Sequence, residues 1–139
     1  MLLDVDGIRH GYLIVDECKF EESRIEYNDY IFTPTFFNAH THLGDAIAKE
    51  AKFGSIKELV APPNGYKFRV FRKHSAEELR KVVMDEVNAA KRSGTSHFLD
   101  FREGGIEGVK IVKGIDGVLI LGRPENLDEA KVMNVRGFG

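Results

Sequence analysis

The chain has 139 residues, 42% of them hydrophobic and 30% charged, with a formal net charge of −2. That balance describes one modest folded domain rather than a disordered tail, and it lacks the basic excess of a phosphate-binding surface, so nucleic acid is not an expected partner. No apolar run approaches the ~18 residues of a membrane span. Asp4, Asp6 and Arg9 interrupt any basic-then-apolar signal at the N-terminus, so neither a membrane nor export is expected. Cys18 is the single cysteine, which excludes an intrachain disulfide and makes a reducing cytoplasm the simplest setting.

Residues 2–34 hold short alternating runs, Gly11–Asp16 and Ser23–Tyr27 among them, punctuated by Asp and Gly. They read as small antiparallel strands. Thr35 to His42 is rich in β-formers and has no helical period. Residues 45–74 read as irregular, with Pro62-Pro63-Asn64-Gly65 as a loop signal and a helical turn near Ser55–Val60. The spacing predicts a helix over 76–92. Ser75 and Glu78 form a capping box ahead of it, and Leu79, Val82, Val83, Val87 and Ala90 share one face. Lys91 and Arg92 suit its C-terminal end, and Gly94 the position just beyond. Thr95–Phe101 reads as a strand and Ile106–Lys113 as a short helix. Gly117–Leu121 is a fully apolar run, as in a strand covered on both faces. A last short helix follows Pro124 and Glu125 to about Met133, and Val135–Gly139 begins another element. From Pro34 onward the order is strand, helix, strand, helix, strand, helix, which implies a parallel sheet with crossover helices.

The chemistry concentrates in Asn38-Ala39-His40-Thr41-His42-Leu43-Gly44-Asp45. Residues two apart on a strand share a face, so His40 and His42 project together with Thr41 turned away. Neutral imidazole is a good ligand for Zn, Fe, Mn, Ni or Co. Gly44 permits a sharp turn and Asp45 brings a carboxylate near the strand's end. Asn38 shares the inward face. Asp100, Arg102 and Glu103 lie at the C-terminal end of the next strand, where they contact substrate, orient a histidine, or simply pair as ions. Arg123, past the third strand, is placed to contact substrate or to sit on the surface. His97 either lines the pocket or packs as a hydrogen-bonded strand residue. His10 and His74 read as surface residues, and Cys18 as packing.

Pro34–Asp45 resembles the first barrel strand of the amidohydrolase superfamily, with Thr35 where that motif usually has Gly. Ser93–Gly105 resembles the second strand and following turn of the chlorohydrolase and cytosine-deaminase-like branch, and Val60–Lys67 the loop after the first strand in uncharacterised members. The resemblance implies an α/β fold: the first three βα units of a (β/α)8 TIM barrel over 35–139, preceded by a few β-sandwich strands over 1–34, with the barrel incomplete in this chain. It implies that His40 and His42 are ligands of a divalent metal, zinc before iron, manganese, nickel or cobalt. Asp45, His97, Arg102, Glu103 and Arg123 become candidate substrate contacts. The family's remaining ligands (a Lys or Glu near the fourth strand, histidines on the fifth and sixth, an Asp on the eighth that is also the general base) fall outside these residues, so no catalytic residue is expected here. The expected parent reaction is hydrolysis of an amide or amidine, or deamination, of a small-molecule substrate by metal-activated water. The expected partner is a complementary C-terminal half or another copy of the chain. The alternatives are a non-catalytic, self-associating degenerate domain, which would pair through an exposed third-strand edge, and a metal-binding protein in which two chains share an ion.

Overall fold

The computed structural model describes residues 1–25, 30–50 and 53–138, in two compact units, Met1–Thr35 and Phe36–Gly139. In the first, β1 (Leu2–Asp4) pairs antiparallel with β2 (Gly7–Arg9), and β3 (Gly11–Ile14) with β4 (Lys19–Glu22). The β1–β2 turn closes because the Asp6 N–H donates to Asp4 Oδ1 at 3.0 Å while Gly7 takes a φ of +118°, which suits a residue without Cβ. The expected antiparallel strands are present. The run Ser23–Tyr27 lies partly outside the described residues. The two hairpins form separate two-stranded sheets, and Leu3, Ile8 and Tyr12 stay exposed. The β-sandwich expectation is therefore corrected, since a sandwich buries the inner faces of two packed sheets.

The second unit is built on a four-stranded parallel sheet in the order β5 (Phe36–Thr41), β6 (Thr95–Arg102), β7 (Val118–Gly122), β8 (Gly137–Phe138). The TIM-barrel expectation is corrected here as well. Closure requires a ring of strands without edges, whereas this sheet is open, with β5 at one edge and β8 at the other. The third strand, β7, is not an edge, because Leu121 and Gly122 pair with Gly137 and Phe138.

Segment 45–74, read as irregular apart from a helical turn near Ser55–Val60, has that turn as α1 (Ile56–Val60) and also carries α2 (Tyr66–Phe71), with a 3-10 helix at Leu43–Ala48 leading into the segment. These are too short to show a helical period. The helix read over 76–92 is α3 (Ala76–Arg92), and its Ser75–Glu78 capping box is formed in both directions. Two shorter helices follow, α4 (Gly105–Val112) and α5 (Leu127–Val132).

One core cluster joins the elements: Val83 and Val87 from α3, Phe98 from β6, Val109 and Val112 from α4, Ile120 from β7, and Met133. Burying each of these side chains contributes roughly 1.5–3 kcal/mol before entropy is set against it. The cluster covers one face of the sheet. Along β6 the buried residues are Phe98, Asp100 and Arg102, while Leu99 and Phe101 are only half-buried. The apolar run in β7 is thus covered by helices on one face, not both. Its other face continues onto the exposed side of β5, where Phe36 and Phe37 are largely uncovered. Among the described residues no helix is long and apolar enough to cross a membrane.

Candidate functional site

Three parallel strands end side by side, and their C-terminal ends surround a cavity of about 240 Å³ lined by His40, His42, Phe101, Arg102, Glu103, Leu121 and Arg123. In parallel α/β sheets ligands commonly bind outside the carboxyl ends of the strands. The β5–β6 register runs from Phe36 opposite Thr95 to Thr41 opposite Asp100, with an irregularity between Asn38 and Thr41. A break of that kind re-aims side chains, and it falls at His40.

The expected co-projection of the two histidines is met. The His40 ring stacks on Phe101 with centroids 4.3 Å apart, and the His42 ring lies 5.9 Å from the same phenyl. The two imidazole centroids are 5.4 Å apart. An imidazole nitrogen about 2.0–2.1 Å from zinc places its ring centroid roughly 3.2 Å from the ion, so two rings on one tetrahedral ion sit about 5 Å apart. The centroid spacing of the pair is close to that value. Among the described residues no group of three His, Cys, Asp or Glu side chains gathers into a fuller set, whereas catalytic zinc usually takes three protein ligands.

Behind His42 lies a charged network. His42 Nδ1 is 3.4 Å from Glu103 Oε1. Lys67 Nζ donates to Glu103 Oε1 at 2.7 Å and to Asp45 Oδ2 at 3.2 Å. Lys67 is only 6% exposed. Burial by itself would raise the Glu103 carboxyl, but the hydrogen bond and charge of Lys67 outweigh it and hold the group below the ordinary glutamate range. Asp45, half-buried in the 3-10 helix, is joined to the site through Lys67.

Asp100 is fully buried on the helix-covered face. Its Oδ1 accepts the Leu43 N–H at 2.6 Å and so fixes the chain just past His42. Burial raises its pKa, against the opposing effects of the Leu43 hydrogen bond and the Arg102 charge. The Arg102 side chain is also buried, with its guanidinium 5.7 Å from the Phe71 ring centre. Gly44 has no side chain to give, and a Cβ there would run into that guanidinium. Arg123, exposed at the end of β7, is tied in by its N–H donating to the Arg102 carbonyl at 2.9 Å.

Of the residues singled out from sequence, His40, His42, Arg102, Glu103 and Arg123 meet at the cavity, and Asp45 joins through Lys67. His97 does not reach it. It sits lower on β6, opposite Phe37, with Nδ1 2.8 Å from the Ser96 hydroxyl. Lys67 escapes sequence reasoning as a site residue: it closes the Val60–Lys67 loop stretch, 36 residues from Glu103, and nothing local pairs it with that carboxylate.

No family model and no solved structure matches the chain. Three relatives do. The chain is 51% identical over 138 residues to a protein of Archaeoglobus fulgidus named "Putative aminohydrolase", an alignment covering 99% of this chain and 42% of the relative. It is 32% identical over 116 residues to a Methanothermobacter thermautotrophicus protein of the same name, covering 79% of this chain and 30% of that protein. It is 31% identical over 142 residues to an uncharacterized protein of Methanocaldococcus jannaschii, covering 92% and 37%. The chain thus spans less than half the length of these relatives, and two of the three carry a hydrolase name.

Proposed function

We propose that this chain contributes the histidine-pair portion of the active site of a metal-dependent aminohydrolase, an enzyme that hydrolyses a carbon–nitrogen bond in a small molecule. The observation that carries the reading is the pair itself: two imidazoles 5.4 Å apart, at the C-terminal ends of parallel strands, opening on a small cavity. The names of two relatives support the hydrolase class.

His40 and His42 would hold the ion, zinc being the best match to imidazole ligands among the first-row candidates. When bound, the ion lowers the pKa of a water toward ~7 and so supplies a nucleophile at neutral pH. The chain's own residues do the rest of what is proposed. Phe101 backs the His40 ring, Glu103 faces His42 Nδ1, and Arg123 offers a cation at the cavity mouth to an electron-rich substrate group. Two histidines leave the ligand set short, and Glu103, a carboxylate that lines the cavity, is already bonded to Lys67. We therefore expect the complete site to draw further groups from additional sequence, as the greater length of the relatives allows, or from a second copy, and the 139 residues alone to be inactive. The exposed β5 edge, with Phe36 and Phe37 uncovered, favours self-association as a second reading.

Calorimetric titration of Zn²⁺ into the 139-residue chain tests the first reading. One weak site is expected, weakened in His40→Ala and in His42→Ala and unchanged in His74→Ala. Sedimentation tests the second: a stable oligomer with no metal affinity would favour it and overturn the first.

A further inference from the structure

Lys67 has no place in the histidine pair, yet it is among the most buried charges in the chain. An ammonium taken out of water is costly unless paired, and removing one partner of such a group leaves the other stranded. Here the ammonium is paired twice, 2.7 Å from Glu103 Oε1 and 3.2 Å from Asp45 Oδ2. Glu103 Oε1 is the same oxygen that lies 3.4 Å from His42 Nδ1. The row therefore runs Asp45, Lys67, Glu103, His42, drawn from the 3-10 helix, α2, the end of β6 and the end of β5. An imidazole has two distinct nitrogens, and the partner of one decides what the other can do.

We propose that Lys67 is a positioning residue for His42: it pins the Glu103 carboxylate so that this group takes the His42 Nδ1–H and leaves Nε2 as the lone-pair nitrogen facing the cavity. Without Lys67, the Glu103 and Asp45 carboxylates are left without a shared cation. Repulsion and hydration would draw Glu103 out of line, and His42 would be free to hold its proton on either nitrogen. The tautomer assignment is inferred from the 3.4 Å approach of Glu103 Oε1 to His42 Nδ1. Its use in holding a metal rests on the function proposed above.

The test is the nitrogen–proton correlation spectrum of the His42 ring in the metal-free 139-residue chain, at a pH where the imidazole is neutral. The wild type should show the proton on Nδ1. Lys67→Gln should give a mixed population or the Nε2–H form, and Lys67→Arg, which keeps the charge, should restore the Nδ1–H form in part. Loss of an outer partner of a ligating histidine typically weakens metal binding about 10–100-fold, so Zn²⁺ affinity should fall by that factor in Lys67→Gln. It should fall no further in Lys67→Gln/Glu103→Gln than in Glu103→Gln alone, because Lys67 acts through Glu103. If Lys67→Gln does not fold, Glu103→Leu, which removes the acceptor, must show the same change in tautomer. A His42 ring that keeps its Nδ1–H form in a folded Lys67→Gln chain, or in Glu103→Leu, overturns the proposal. A tautomer change in a set of chains none of which binds Zn²⁺ would sustain the role of Lys67 and overturn the metal-dependent reading instead.

Discussion

Gly108 is the point where the core and the candidate site share a constraint. It lies in the first half of α4, five residues past Glu103. A Cβ placed there would run into the Glu103 carbonyl oxygen and come within 2.9 Å of its carbonyl carbon. The obstacle is backbone, so no rotamer relieves it: either α4 moves off the sheet or the Glu103 peptide tilts. Alanine in place of glycine gains about 1 kcal/mol of helix propensity. Overpacking against rigid neighbours costs about 1–3 kcal/mol, and a backbone obstacle belongs at the upper end of that range. The net expectation for Gly108→Ala is a loss of about 2 kcal/mol, a fall in Tm of roughly 5–10 °C for a chain of this size. Thermal unfolding followed by circular dichroism measures it. Zn²⁺ affinity should fall as well if the Glu103 peptide tilts, because it carries the carboxylate facing His42. A variant as stable as the wild type, or more stable, would show that helix propensity governs this position and would refute the close α4–Glu103 approach.

Other expectations follow from the same packing and electrostatics. Ser75→Ala removes the Oγ that accepts the Glu78 N–H in the α3 capping box and should cost about 1 kcal/mol in denaturant unfolding; no loss would mean that the tertiary contacts of α3 hold its first turn unaided. The raised pKa of Asp100 means that the folded state favours its protonated form. Its contribution is fully present below the unfolded pKa and is lost as pH rises through the folded one. Asp100→Asn, which cannot ionise, should therefore gain stability relative to wild type as pH goes from acid to neutral, by chemical unfolding at each pH. A difference that is flat with pH, or that moves the other way, would refute the desolvation argument.

How much of this was legible in the sequence depended on the range over which each feature is encoded. The α3 helix announces itself locally, through Ser75, Glu78 and an apolar face repeated over four turns, and the structure has it at the expected residues. The co-projection of His40 and His42 follows from the two-residue repeat of a strand. The parallel order of β5, β6 and β7 follows from alternation with helices. Sheet closure is not a local property: a run of strand–helix units looks alike whether the sheet curls shut or stays open, so the barrel reading overreached and the open four-stranded sheet corrects it. The helical turn expected near Ser55–Val60 is present as α1, whereas α2 has six residues, too few for a period to stand out beside the Pro62-Pro63 signal. Lys67 was illegible for a third reason. Its meaning comes from Glu103 and Asp45, which reach it only when α2, the 3-10 helix and the end of β6 are brought together.

The central claim is that His40 and His42 bind one ion together, and X-ray absorption at the zinc edge of the chain loaded with one equivalent of Zn²⁺ addresses it directly. The account predicts two imidazoles at about 2.0–2.1 Å, the rest of the shell being light oxygen ligands, with one imidazole lost in His40→Ala and one in His42→Ala. Zinc with no imidazole, or with an imidazole count that neither substitution changes, would contradict it.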